Sequence, residues 1–167
     1  MNNISWDSYF MTLAYLVAMK SKDKSTKLGA VIVGPDNEIR STGYNSFIRK
    51  IDDNNIERQE RPEKYYWFEH AERNAIYNAS LIGISLKNCK IYTPGMPCAD
   101  CMRGILQSGI TEIILHDTWL KHQPEKWNDS GNRSRQMCLE RNVCVRIFSG
   151  EIQSNIYGWN REKKIIL

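Results

Sequence analysis

No stretch of this 167-residue chain is long and apolar enough to span a bilayer; even the run from Leu13 to Met19 is short. The opening Met1-Asn2-Asn3-Ile4 has neither basic residues nor an apolar run, which argues against a secretory signal and for the cytoplasm. An even set of cysteines is missing too. Five are a poor start for a disulfide framework, and a reducing compartment disfavours one. A dense basic face is also lacking, since 23 Lys and Arg against 19 Asp and Glu leave a net charge of only +4. That balance suits a phosphate-bearing small molecule better than a nucleic acid. Repeats, low-complexity segments and linkers are absent, so residues 1–167 are expected to form one domain, with the weakest pattern in the tail from Gly150 to Leu167. What is present is ordinary globular composition, 41% hydrophobic and 25% charged, in a chain long enough to bury a core.

Trp6, Tyr9, Phe10, Leu13, Leu16 and Val17 recur at steps of three and four, which predicts an amphipathic helix capped near Ser5. Lys20 to Lys27 is polar and reads as a loop, and Leu28 to Val33 as a buried strand. Turn chemistry at Gly34-Pro35-Asp36-Asn37 returns Glu38 to Gly43 beside it as a hairpin. A polar stretch without periodicity runs from Tyr44 to Arg61, and loops of that length usually carry function. Pro62 suits the first position of a helical pattern reaching about Leu81, either one helix or two broken near Glu69. The rest alternates: strand Cys89 to Thr93, helix Cys98 to Ser108, strand Thr111 to Leu115, helix Arg133 to Arg141, strand Val143 to Phe148. Such alternation needs crossovers and gives a parallel half-sheet with helices packed on it, an α/β fold.

Two segments carry the chemistry, His70-Ala71-Glu72 and Pro97-Cys98-Ala99-Asp100-Cys101, each at the start of a predicted helix. One imidazole and two thiolates leave a fourth tetrahedral position for water, which is how catalytic zinc is held. Helix N-termini lower thiol pKa values and help keep Cys98 and Cys101 ionised. Glu72 lies two residues beyond His70, near enough to share the site and free to move protons. The alternative is a closed zinc staple whose fourth ligand is Cys89, Cys138, Cys144 or His116, but it leaves Glu72 without a purpose. The remaining cysteines read as core residues.

His-x-Glu followed by Pro-Cys-x-x-Cys is the signature of zinc-dependent base deaminases. With it stand Ser21-Lys22-Asp23, Leu28-Gly29-Ala30, Gly43-Tyr44-Asn45, Arg73-Asn74-Ala75-Ile76 and Gln107-Ser108-Gly109-Ile110. Together they resemble the cytidine and deoxycytidylate deaminase superfamily, from Tyr15 to Phe148, and most of all its deoxycytidylate branch. That resemblance implies a three-layer fold with a central five-stranded mixed sheet, helices on both faces, and zinc between two helices. It implies hydrolytic deamination of dCMP to dUMP in pyrimidine deoxynucleotide metabolism. Glu72 would be the proton shuttle and Asn45 would hydrogen-bond the sugar, with the backbone near Ala71 and Pro97 fixing the pyrimidine edge. It also implies a homo-oligomer, often a hexamer, with no membrane and no nucleic-acid partner. In many members the loop after Gly-Tyr-Asn binds triphosphate effectors with Mg2+, dCTP activating and dTTP inhibiting. Here that loop loses two glycines and a proline of the family pattern, leaving Tyr44, Ser46, Arg49 and Lys50 as the effector candidates.

Past the fourth main strand, Trp119 is a candidate to stack on the base and Lys121 to pair with the 5'-phosphate. Lys24 and Thr26 in the loop Lys24-Ser25-Thr26-Lys27 are a second phosphate candidate. The 27 residues from His116 to Asn142 include a helix, so the last two strands should be parallel. By resemblance this fits nucleotide and nucleic-acid deaminases better than free-cytidine deaminases. Three rivals stand beside this reading. They are a tRNA adenosine deaminase, which would need a basic aromatic groove for a flipped base, a riboflavin-pathway deaminase, and a silent deaminase-like binding domain.

Overall fold

The computed structural model describes residues 3–153, 157–160 and 163–166; Met1, Asn2 and the rest of the tail expectation lie outside the described residues. In chain order the elements are α1 (Trp6–Ala18), β1 (Gly29–Val33), β2 (Ile39–Tyr44) and β3 (Ser46–Phe47). There follow α2 (Lys64–Trp67), β4 (Phe68–Glu69), α3 (Ala71–Leu81), β5 (Lys90–Tyr92), α4 (Ala99–Gln107) and β6 (Glu112–His116). The last are α5 (Asp117–Lys121), α6 (Asn128–Glu140), β7 (Cys144–Phe148), β8 (Tyr157–Asn160) and β9 (Lys163–Ile166). No helix among the described residues is long and apolar enough to cross a membrane.

The central sheet has five strands in the order β2-β1-β5-β6-β7. β1 pairs antiparallel with β2 and β5, whereas β5, β6 and β7 run parallel, so the sheet is mixed, as expected. Strand alternation splits the core into two layers. Val31, Val33, Tyr92 and Ile114 face α1 and meet Phe10, Met11 and Ala14. Ala30, Ile32, Ile113 and Leu115 face the other way, toward α3, α4 and α6, where Ala75, Met102, Ile105 and Cys138 are buried. Burying both faces is why β1 reads as an unbroken apolar run.

Ser5 caps α1 by accepting from the Ser8 amide at 3.1 Å, as its sequence position predicts. The stretch from Pro62 to Leu81 resolves into two helices with β4 between them, the break falling at Glu69. Pro62 precedes α2 in a turn instead of opening it, and the Lys64 amide bonds back to the Glu60 carbonyl at 2.8 Å. The polar stretch after Tyr44 holds one 3-10 turn, Ile56–Gln59. It is closed at its base by pairing Ser46 with Glu69 and Phe47 with Phe68. Helix α6 starts at Asn128, five residues earlier than its apolar pattern indicates.

Candidate active site

His70 is the residue capping the N-terminus of α3, and Cys98 occupies the same position on α4. The two helices therefore converge with their positive ends on one point, at the carboxyl end of β5. His70 Nδ1 lies 3.5 Å from Cys98 Sγ and 3.4 Å from Cys101 Sγ. All three ligand atoms fall within 4.8 Å of one another. A tetrahedral zinc with bonds of about 2.3 Å to sulfur and about 2.1 Å to nitrogen requires N···S edges of about 3.6 Å. The trio fits that ion.

Among the described residues no other His, Cys, Asp or Glu joins this cluster. Cys89 and Cys138 are buried in the core, Cys144 is exposed on β7, and His116 is tied to the Tyr15 hydroxyl at 2.8 Å. The closed staple thus finds no fourth ligand, and the open position remains for water.

Glu72 sits in the first turn of α3, buried, with Oε2 3.6 Å from Cys101 Sγ. Burial pushes its carboxyl pKa up, partly offset by His70. The Cys98 thiol is held down at about 4, chiefly by the hydrogen bond from Cys101 and then by that with His70. One thiolate is therefore already favoured by the protein alone, in keeping with a metal-binding pair.

Neighbouring side chains hold this geometry. Ser130 Oγ, from α6, accepts the Ala99 amide at 2.8 Å and so caps α4. Ser134 donates to the Pro97 carbonyl at 2.8 Å, and Gln123 accepts the Met96 amide at 3.1 Å. The cluster forms part of the wall of a cavity of about 390 Å³, which Trp119, Trp127 and Asn45 also line. The Trp127 ring meets the His70 ring edge-on, centroids 6.2 Å apart.

The cytidine and deoxycytidylate deaminase zinc-binding region, as a family model, matches residues 4–117. The chain belongs to this family. It is 35% identical over 132 residues to the deoxycytidylate deaminase of Mus musculus, covering 76% of this chain and 69% of that one. With the Homo sapiens deoxycytidylate deaminase the identity is 34%, with the same coverage. A crystal structure of the dCMP deaminase of cyanophage S-TIM5, in complex with dCMP and dUMP, superposes with a TM-score of 0.69 at 20% identity. It covers 89% of this chain and all of that one, a likeness of fold.

Placed in this family frame, the sequence candidates separate. Ala71 and Thr26 line the cavity, and Trp119 does so with its indole over Gly95, where a β carbon would lie 2.8 Å from Nε1. Pro97 is buried behind the wall. Asn45 lines the cavity, yet its amide is already engaged: Oδ1 accepts from the Leu28 amide at 2.7 Å, and Nδ2 donates to Asp23 and to the Thr26 carbonyl. Lys121 does not line it. Two residues past Trp119 on a helix is a turn of about 200°, and Lys121 instead pairs with Asp117 at 3.3 Å, its side chain 69% exposed. Lys24 lines an adjoining cavity of about 270 Å³, which shares Arg61 and Lys64 with the first.

The four effector candidates lie outside the cavity walls. Tyr44 offers its carbonyl to Asn74 at 2.8 Å, Ser46 is buried in β3, Arg49 reaches Asn78, and Lys50 is exposed with φ of 65°. Sequence reasoning missed Arg61, Lys64, Gln123, Trp127 and Ser130. Only Arg61 and Lys64 offered a sequence signal, as cations closing the polar stretch beside Pro62.

Proposed function

We propose that this chain hydrolyses dCMP to dUMP and ammonia. The observation carrying the reading is the open triangle of His70, Cys98 and Cys101 with the buried carboxylate of Glu72 against it. Zinc held by that triangle would supply a Lewis acid that makes water nucleophilic near neutral pH. Glu72 takes a proton from the water that adds to C4 of cytosine and delivers it to N3. It then passes the second proton to the departing amine, leaving a carbonyl at C4 and releasing ammonia. Burial of Glu72 suits this work, because a carboxylate whose pKa is raised is a stronger base toward the proton of the water. Backbone at Ala71 fixes the pyrimidine edge and Trp119 flanks the base; Pro97, behind the wall with its carbonyl held by Ser134, supports Cys98 instead.

Asn45 contributes to the sugar pocket through its remaining Oδ1 lone pair and by holding Thr26. The 5'-phosphate falls to Thr26 and Lys24 on the wall that carries Arg61 and Lys64. Lys121 enters only if its pair with Asp117 opens. One domain spanning 1–167, in a reducing cytoplasm that suits five free thiols, belongs to the same reading. So does assembly into a homo-oligomer, for which the exposed Tyr77 and Leu81 on α3 and Ile82 just past it supply apolar surface. Regulation by dCTP and dTTP with Mg2+ would act through Tyr44, Ser46, Arg49 and Lys50. Sigmoidal dCMP kinetics straightened by dCTP would support it, and effector-insensitive hyperbolic kinetics would sink it.

The deciding assay is ammonia release by zinc-loaded protein offered dCMP, dCTP, CMP, deoxycytidine and an adenosine-bearing tRNA stem-loop. Turnover of dCMP well above the others is expected. Turnover of the stem-loop alone would overturn the substrate, and silence on all five would favour a binding domain.

A further inference from the structure

Lys64 belongs to none of the motifs, yet it is among the most enclosed cations in the molecule, its side chain 9% exposed against 4% for Asp23. Its Nζ lies 2.6 Å from each oxygen of Asp23 and 2.6 Å from Ser25 Oγ. Asp23 also accepts from the amides of Ser25 at 2.8 Å and Thr26 at 3.1 Å, and from Asn45 Nδ2 at 2.9 Å. Asn45 closes the circuit through the Thr26 carbonyl at 2.8 Å and the Leu28 amide at 2.7 Å. A single carboxylate thus organises the turn from residue 23 to 28 together with Asn45, and α2 supplies its countercharge.

All of these groups but Ser25 line the main cavity. A carboxylate in the wall of a site that takes a phosphate monoester repels its own ligand unless something cancels it. Burial alone would raise the Asp23 pKa and let a proton do so. The lysine and the amides outweigh burial and hold it low, so Asp23 is ionised and its neutraliser is Lys64.

We propose that Lys64 is a positioning and specificity residue for the phosphate end of the substrate: it cancels Asp23 and locks the Ser25–Thr26 turn in place. This rests on the dCMP reading above. Lys64 touches no reacting atom, so its loss should weaken affinity for a phosphate-bearing ligand and spare the chemical step. A buried pair kept only for stability would affect nucleotide and nucleoside alike.

The experiment measures kcat and KM for dCMP, and the competitive inhibition constant of deoxycytidine, in the zinc-loaded full chain and three variants. Lys64→Met is expected to raise the dCMP KM by about tenfold or more, the scale of one lost charge-assisted hydrogen bond. It should leave kcat and the deoxycytidine constant within about threefold. Lys64→Arg should restore most of the KM. The double variant Lys64→Met with Asp23→Asn, which carries no unpaired buried charge, should recover part of it and remain folded even where the single variant does not. Equal weakening of dCMP and deoxycytidine, or a double variant that binds dCMP no better than Lys64→Met, would overturn the proposal. If the single variant does not fold, a double variant whose dCMP KM rises as far as its deoxycytidine constant overturns it. Wild-type protein inert toward dCMP would remove the underlying reading, and this inference with it.

Discussion

Gly43 lies directly beneath the backbone of Ala75: a β carbon there would come 2.3 Å from the Ala75 amide nitrogen and 2.4 Å from the Ala71 carbonyl. Helix α3, which carries His70 and Glu72 at its start, is therefore seated on β2 by the lack of one methyl group. On the paired strand Gly29, which faces Tyr44 in the register, does the same for α1 on the opposite face, where a β carbon would meet the Ala14 carbonyl at 2.1 Å. Gly43→Val should destabilise the fold by about 1–3 kcal/mol through overpacking. It should also lower zinc content, because α3 must lift. Thermal melting and metal analysis check the pair; a variant that melts normally with full zinc would refute the seating.

Glu72→Ala should keep zinc and fold yet lose turnover by roughly 10²- to 10⁴-fold, the worth of a positioned acid–base group. Activity surviving in that variant, measured as ammonia release, would remove Glu72 from the proton path.

Ser130→Ala leaves the Ala99 amide without its partner at the helix end that bears Cys98. A cost of about 1 kcal/mol is expected for a lost cap. The readout is the rate at which a chelator strips zinc, which should rise relative to the wild type. An unchanged rate would mean that α4 holds its ligands without help from α6.

Lys121 and Lys24 make opposed predictions about where the phosphate is felt. Lys121→Ala should leave the dCMP KM within about twofold, as an exposed pair with Asp117 contributes little. Lys24→Ala should raise it more. The reverse order would place the phosphate on the α5 side of the cavity.

Asp7 joins α1 to β5 and β7 on the face it covers, accepting from Arg146 at 2.5 and 2.9 Å and from the Tyr92 hydroxyl at 2.8 Å. The Arg146 hydrogen bond, stronger here than the opposing effect of burial, holds the Asp7 carboxyl below its ordinary value. A carboxyl with a lower pKa in the folded state stabilises fully above its unfolded value near about 3.9. That contribution is lost as pH falls toward the folded value. Urea midpoints should therefore separate wild type from Asp7→Asn at pH 7 and draw together as pH falls below about 3.9. A gap that stayed constant across that range would show that the charge on Asp7 is not what matters.

How much of this was readable beforehand divides along a physical line. His70, Glu72, Cys98 and Cys101 were legible because metal chemistry demands set residue types at set spacings on helix starts. The parallel run of the last two strands followed from the length of their crossover, and the hairpin from Gly34-Pro35-Asp36-Asn37. Ser130 was not legible, since it acts on a partner more than 30 residues away and carries no local pattern; Lys64 could be noticed beside Pro62, but not its pairing with Asp23, 41 residues back. The first turn of α6 escaped because Asn128, Asp129, Ser130 and Gly131 are weak helix formers, overruled by packing of Gly131 against Met96. Lys121 looked plausible from its neighbourhood in sequence, and only the direction of a short helix takes it away from the cavity.

The two-residue pairing of β3 with β4, with the Phe47 and Phe68 rings 4.2 Å apart, works as a clasp. The segment between, residues 48–67, returns at Phe68, two residues before His70, and packs Lys64 against Asp23 on the way. Arg61 and Lys64 ride on that excursion; His70 does not. On the proposed reading, exchanging the segment would alter the cavity wall that carries Arg61 and Lys64 while His70, Cys98 and Cys101 stay on their own helices. Grip and bond-making would then be separable, and an engineer could graft the one without retuning the other.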